Sequence, residues 1–175
     1  RYANPVAGPS WWRSQEGAIQ DALDNDIGEG QVVTLAVSSG GRPVRAVFYG
    51  DPEPELLGTA NFNSAVAAGD PEQFFCRRRD RHRPVLVVLA GVHGQEVEGM
   101  IGALSLLEIM ERGRDLRGEP QHERQRLLKR LRLIVIPLAN PDGRARVPYD
   151  GWVGLPEDEM HRVGQGTRAD GSLYG

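Results

Sequence analysis

The sequence predicts an α/β fold around a sheet that contains parallel strands. A continuous apolar run at 84–91 is bounded by Pro and Gly, and the stretch 132–143 is apolar after Arg132 and ends in a turn, as expected for strands buried on both faces. Two helical segments, 96–113 and 119–131, lie between them in the chain. Strand, helix, helix and strand in this order are typical of a βαβ-type crossover between parallel strands.

The composition narrows the class of protein. The 175 residues suffice for one domain with a real core, and 39% hydrophobic and 26% charged residues are typical of a soluble globular chain. The net charge of -3 gives no reason to expect a nucleic-acid partner, and no apolar run is long enough to suggest a membrane partner. The single cysteine, Cys76, excludes an internal disulfide and a Cys-rich zinc site. We expect a cytoplasmic location, and a secreted or periplasmic one stays open if a signal peptide was removed.

The N-terminal part predicts one helix and a hairpin. Residues 14–26 predict a helix capped by Ser14, with Ile19 and Leu23 on its apolar face. The segments 31–39 and 44–50 are β-branched and partly alternating, which predicts two strands that pair across the turn "GGRP".

The central part contains the crossover. After the strand at 84–91, the helix over 96–113 has apolar residues at helical spacing, and Gly113 stands at its C-cap. A highly charged helix over 119–131 leads to the strand at 132–138, which ends in the turn "ANPDG". From Arg144 onward the chain is rich in Gly, Pro and charge, and no element is predicted there.

The stretch "LAGVHGQEVEGM" places His93 and Glu96 just after the carboxyl end of the first apolar strand. Ligand crevices of open α/β sheets form at such strand ends. Imidazole and carboxylate are good zinc ligands, and Gly91 and Gly94 would let the backbone turn tightly beside a metal. The alternative is a capped helix start, in which the helix dipole favours Glu96 in the first turn.

The stretch "IPLANPDGR" ends the second apolar strand, so Asn140 and Asp142 are expected to open the same crevice as His93. The alternative is a plain turn, because Asn-Pro and Asp-Gly both favour turns. Four arginines follow this motif and are candidates for binding negative charge, although an ordinary surface position is the alternative for each: Arg144, Arg146, Arg162 and Arg168.

Together, "AGVHGQEVEG" and "IPLANPDG" resemble the zinc carboxypeptidase family, which carries His-x-x-Glu and Asn-Pro-Asp-Gly after two strands in this order. The hairpin "SSGGRPVRAVFYG" also resembles the one that precedes the zinc motif there, so the resemblance covers roughly residues 31–143. It implies a three-layer α/β/α sandwich with a mixed, mostly parallel sheet. The related succinylglutamate desuccinylase and aspartoacylase branch shares the zinc motif, but Asn-Pro-Asp-Gly favours the peptidases.

The resemblance implies that His93 and Glu96 bind Zn²⁺ with a third, distant His. A late Glu would act as general base, and an Arg, here Arg168 or Arg162, would stabilise the oxyanion or hold the substrate carboxylate. In the family the third His and the base lie well after Asn-Pro-Asp-Gly, whereas thirty-two residues follow Gly143 here. His161 is the one His in that stretch, and a solvated loop position is the favoured interpretation for it.

These observations predict one zinc hydrolase domain over residues 1–175, corresponding to the N-terminal part of the family's domain and weakly active or inactive alone. The substrate would be a peptide or an acyl-amino acid. A zinc deacylase of small N-acyl amino acids, or a non-catalytic binding module of the same fold, are the alternatives. An unfinished sheet would leave an exposed edge, so self-association is also expected.

Overall fold

The computed structural model describes residues 8–51, 83–147, 164–165 and 172. Within these residues the chain forms one four-stranded sheet with the strand order β1-β2-β4-β3. The crossover from β3 to β4 runs through two helices, as the sequence predicts. The strands are β1 (Gln31–Val37), β2 (Pro43–Tyr49), β3 (Val85–Leu89) and β4 (Arg132–Ile136).

The sheet is mixed. β1 and β2 form the predicted antiparallel hairpin, β2 pairs antiparallel with β4, and β3 pairs parallel with β4. The mixed sheet is therefore confirmed, but the expectation of a mostly parallel sheet does not hold among the described strands, where two of the three pairings are antiparallel. The reason is that the hairpin, rather than a further crossover strand, lies beside β4.

Four helices accompany the sheet in the described part of the chain. None of them is long and apolar enough to cross a membrane. They are α1 (Glu16–Asn25), α2 (Val97–Arg112), α3 (His122–Leu128) and α4 (Pro141–Arg146).

The hydrophobic core joins one face of the sheet to α1 and α2. Ile19 and Leu23 of α1 are buried in it, as the sequence predicts. Because Val47 pairs with Val135 and residues alternate along a strand, the same face continues through neighbouring positions of β2 and β4. The other core residues are Ala22, Tyr49, Ala90, Met100, Ala103, Leu104, Leu107, Met110, Leu133 and Leu138.

The strand β3 is not buried on both faces as predicted. Val87 is 55% exposed and Leu89 is 56% exposed, although both belong to the continuous apolar run. β3 also lies at one edge of the described sheet. An apolar run therefore marks the strand correctly but does not establish what covers each face; self-association through this edge stays a prediction.

The helix ends differ in how well the sequence predicts them. Gly113 has φ 69° at the end of α2, which confirms the predicted C-cap. The predicted Ser14 cap is wrong: α1 begins after Gln15, which makes no side-chain cap bond, and Ser14 is buried. The helix α4 was not predicted. It starts with Pro141 in the first turn, and the Oδ1 atom of Asn140 caps it by accepting from the Gly143 N–H at 2.8 Å.

Candidate metal site

The loop 90–96 joins β3 to α2 and lies beside the turn that follows β4. The backbone ladder of the parallel pair continues past both strand ends: the Ala139 N–H donates to the Ala90 carbonyl at 2.9 Å, and the Asn140 N–H donates to the Gly91 carbonyl at 2.8 Å. Gly91 turns the chain there with φ 62°, which a residue with a Cβ rarely adopts. The two sequence motifs are thus adjacent, as predicted from the strand ends.

His93 and Glu96 converge on this loop. The Nδ1 atom of His93 lies 3.0 Å from Oε1 of Glu96, and the two side chains are 39% and 50% exposed. Glu96 occupies the N-cap position of α2, but its side chain makes no cap hydrogen bond. Glu96 is therefore at a helix start, where the dipole favours a carboxylate, but it does not cap the helix through its side chain, because the carboxylate faces the imidazole.

Asn140 connects the second motif to the first. Its Nδ2 atom lies 3.2 Å from the carbonyl oxygen of Val92, which immediately precedes His93, and 3.0 Å from that of Gln165. Since its Oδ1 atom also caps α4, both ends of this side-chain amide are used. Asn140 is thus a neighbour of the loop, as predicted, and it acts through the backbone.

Glycine at position 94 is required by a close approach of two backbones. A Cβ there would overlap the Gly143 carbonyl carbon and the Arg144 nitrogen. The Gly94 N–H donates to the carbonyl of Gly164 at 2.7 Å. The loop and the turn after β4 therefore pack backbone against backbone, and this packing determines the position of the loop.

Asp142 lies elsewhere than predicted. Its side chain does not face the His93 loop; it accepts from the Ser38 hydroxyl, the Gly40 N–H and Arg42 Nη1, each at 2.9 Å. Burial of Asp142 opposes ionisation, but these three donors outweigh it and lower its pKa. Asp142 therefore attaches the β1–β2 turn to α4, because a buried carboxylate is stable where donors surround it.

The candidate arginines differ in burial. Arg144 is fully buried, and its Nη1 atom donates to the Gly94 carbonyl at 3.0 Å, so it is neither an ordinary surface arginine nor a group that contacts substrate. Arg146, two residues later, is exposed. Arg162 and Arg168, predicted to bind the oxyanion or the substrate carboxylate, lie outside the described residues, as does His161.

The two converging side chains fit a zinc ion as two of its ligands. Zinc sites in proteins take imidazole nitrogen and carboxylate oxygen, and His93 and Glu96 present one of each within a short distance. No group of three His, Cys, Asp or Glu side chains that could hold a metal occurs among the residues described in the structure. The described ranges thus supply a pair of donors, and a third donor would have to come from outside them.

Sequence reasoning missed the roles of Ser38, Arg42 and Arg144. The first two had a usable signal: "SSGGR" predicts a tight turn, and an uncharged donor and a cation flank it. Arg144 had none, because an arginine after a turn reads as a surface residue in most chains. Its burial follows from tertiary packing alone.

Comparisons with known proteins identify one family. Residues 22–171 match the zinc carboxypeptidase family. A metallo-carboxypeptidase from Burkholderia cenocepacia is similar over 78% of this chain and 28% of its own, at 20% identity and a TM-score of 0.45. The carboxypeptidase A from Helicoverpa armigera is similar over 75% of this chain and 24% of its own, at 18% identity and a TM-score of 0.42.

The chain spans about a quarter of the length of these two solved structures. A comparison with curated proteins found no match. The family match nevertheless runs through most of the chain and includes the loop with His93 and Glu96 and the turn after β4. This chain therefore belongs to the zinc carboxypeptidase family.

Proposed function

We propose that this protein acts as a zinc-dependent hydrolase of the carboxypeptidase type, which removes a C-terminal residue from a peptide or a related amide. The observation that carries the proposal is the convergence of His93 Nδ1 and Glu96 Oε1, 3.0 Å apart, at the carboxyl end of β3. Family membership supports the same chemistry. The wider activity needs a general base and a third ligand, and the described residues bring no third ligand side chain to His93 and Glu96.

The chain's own residues have distinct parts in this proposal. His93 and Glu96 would hold the metal, which would supply Lewis-acid chemistry at the site: polarisation of a substrate carbonyl and activation of a water. The imidazole of His93 and the carboxylate of Glu96 lie side by side, with Nδ1 at 3.0 Å from Oε1, so they would offer one nitrogen and one oxygen donor to the same cation. Asn140 holds the backbone before His93 in place through the Val92 carbonyl.

Zinc content tests the proposal directly. Elemental analysis of the purified wild type should give about one zinc per chain, and His93→Ala should give none. His122→Ala is the matched control: His122 is exposed at the start of α3, far along the chain from the loop, and this variant should keep its zinc. Equal zinc in the wild type and His93→Ala would overturn the assignment of His93.

Three matched substrates separate the peptidase from the deacylase. The substrates are an N-blocked dipeptide with a free C-terminal carboxylate, the same dipeptide with an amidated C-terminus, and a simple N-acyl amino acid. The first two differ only at the C-terminal carboxylate, and the third keeps that carboxylate but lacks the penultimate residue. The proposal predicts that the zinc-loaded protein cleaves the first substrate and spares the second. Preferential cleavage of the N-acyl amino acid would favour the deacylase. Absence of cleavage does not separate the hydrolase from the binding module, because this chain is expected to be weakly active or inactive alone.

A further inference from the structure

Arg144 is a fully buried cation in a helix of six residues. Removing a guanidinium from water is costly unless its donors meet acceptors inside the protein. Among the described residues, one acceptor is the backbone carbonyl of Gly94, at 3.0 Å from Nη1. A hydrogen bond from a charged donor is generally stronger than a neutral one, so this contact restrains the position of the carbonyl.

The contact fixes the loop next to its metal-binding side chains. Gly94 directly follows His93 and precedes Glu96 by two residues. Its carbonyl accepts from Arg144, and its N–H donates to the Gly164 carbonyl. On the other side of His93, the Val92 carbonyl accepts from Asn140. Asn140 therefore holds the peptide group before His93, Gly164 holds the one directly after it, and Arg144 holds the next one, between Gly94 and Gln95.

Burial limits what else Arg144 could do. A side chain without solvent exposure, such as that of Arg144, cannot bind a substrate that arrives from solvent. Arg146, on the same helix, is exposed and therefore differs from Arg144 in its surroundings. The charge alone would also disfavour a nearby metal cation, because like charges repel. A favourable effect of Arg144 on metal binding would therefore have to come through the geometry of the loop.

We propose that Arg144 is a positioning residue of the metal site: its guanidinium holds the Gly94 carbonyl and so fixes the loop that presents His93 and Glu96. This inference rests on the proposed function, in which those two side chains bind zinc. Residues that orient metal ligands from behind commonly change metal affinity by about 10- to 100-fold when replaced. The effect should therefore be large enough to measure.

The variants are chosen to separate charge, volume and position. Arg144→Met keeps much of the side-chain length and removes the donors and the charge. Arg144→Lys keeps a charged donor. Arg146→Met is the matched control, because Arg146 lies on the same helix and is exposed. Zinc affinity is measured on the full chain by competition with a chelator, and hydrogen exchange of the amides of residues 91–97 is measured in the metal-free protein.

We expect Arg144→Met to weaken zinc binding by about 10- to 100-fold and to speed amide exchange in the loop. Arg144→Lys should recover part of both losses, and Arg146→Met should match the wild type. Unchanged exchange and unchanged or tighter zinc binding in Arg144→Met would overturn the proposal. If Arg144→Met does not fold, Arg144→Lys decides in the same way; if neither folds, Arg144 is a residue of global stability, and the positioning role is overturned.

The two readouts keep this inference separate from the proposed function. If the wild type binds no zinc, the proposed function fails, whatever Arg144 does. The exchange measurement needs no metal, so it still reports on the loop: faster exchange in Arg144→Met alone supports the fixing of the loop by Arg144, and equal exchange in all variants overturns it.

Discussion

The two ends of helix α2 carry carboxylates in opposite situations. Glu96, at the N-terminal end, is half-exposed and faces the His93 imidazole. Glu111, in the last turn, accepts from the N–H groups of Gly28, Glu29 and Gly30 and from the Tyr49 hydroxyl. The helix dipole favours the first position and disfavours the second, so the donors around Glu111 must offset an unfavourable site.

The difference separates a structural carboxylate from one suited to binding. Burial opposes ionisation of Glu111, but its four donors outweigh it and lower its pKa, while burial and the hydrogen bond to Glu111 raise the pKa of Tyr49. Glu111 thereby attaches the α1–β1 loop and β2 to α2. Glu96 has no comparable set of donors among the described residues, which leaves its oxygens accessible to a cation.

The largest expected effect on stability comes from the backbone packing at Gly94, beside the N-terminal end of α2. Gly94→Ala should destabilise the protein by about 3 kcal/mol, because the new methyl group overlaps the backbone of the turn after β4. Gly102→Ala is the control: it lies within α2 with no atom close to the added Cβ, and it should be neutral or stabilising by up to about 1 kcal/mol. Denaturant unfolding measures both, and equal stability of the two variants would show that the close approach is absent.

The next largest effect on stability is expected at the C-terminal end of α2. Glu111→Gln should lose about 2 kcal/mol of unfolding free energy, because it removes the charge that strengthens four hydrogen bonds. Glu123→Gln, at an exposed position in the first turn of α3, should stay within about 0.5 kcal/mol of the wild type. A comparably small loss in Glu111→Gln would mean that the donors around Glu111 do not stabilise the fold, and the contrast with Glu96 would disappear.

A third prediction concerns the pH dependence of stability at Asp142, the other carboxylate that is surrounded by hydrogen-bond donors. The folded-state pKa of Asp142 is lowered, so its stabilisation is present above its unfolded pKa of about 3.9 and is lost as pH falls through the folded value. At pH 7, Asp142→Asn should cost about 1.5 kcal/mol. The gap between the wild type and the variant should close progressively below about pH 4, as followed by unfolding curves at several pH values. A gap that widens in acid would give the opposite sign and contradict the assignment.

The sequence predicts the strands and helix ends of this molecule better than the contacts between elements that are distant in the chain. Apolar runs locate β3 and β4, and Gly113 locates the end of α2, because strand periodicity and left-handed caps are local properties. The proximity of His93 and Glu96 follows from the sequence because both residues come directly after one strand end. Asp142 was placed in the wrong surroundings, since only the folded chain brings the β1–β2 turn to α4. The burial of Arg144 and the exposure of Val87 likewise depend on which elements pack together.

The smallest expected effect on stability is that of Glu96→Gln. The zinc content of this variant tests the central claim most directly. Glu96→Gln should change the unfolding free energy of the metal-free protein by less than about 0.5 kcal/mol, because the side chain is half-exposed. Zinc per folded chain should fall well below that of the wild type in Glu96→Gln and should be preserved in Glu111→Gln. Wild-type zinc content in Glu96→Gln, or loss of zinc in folded Glu111→Gln alone, would contradict the division between a binding carboxylate and a structural one.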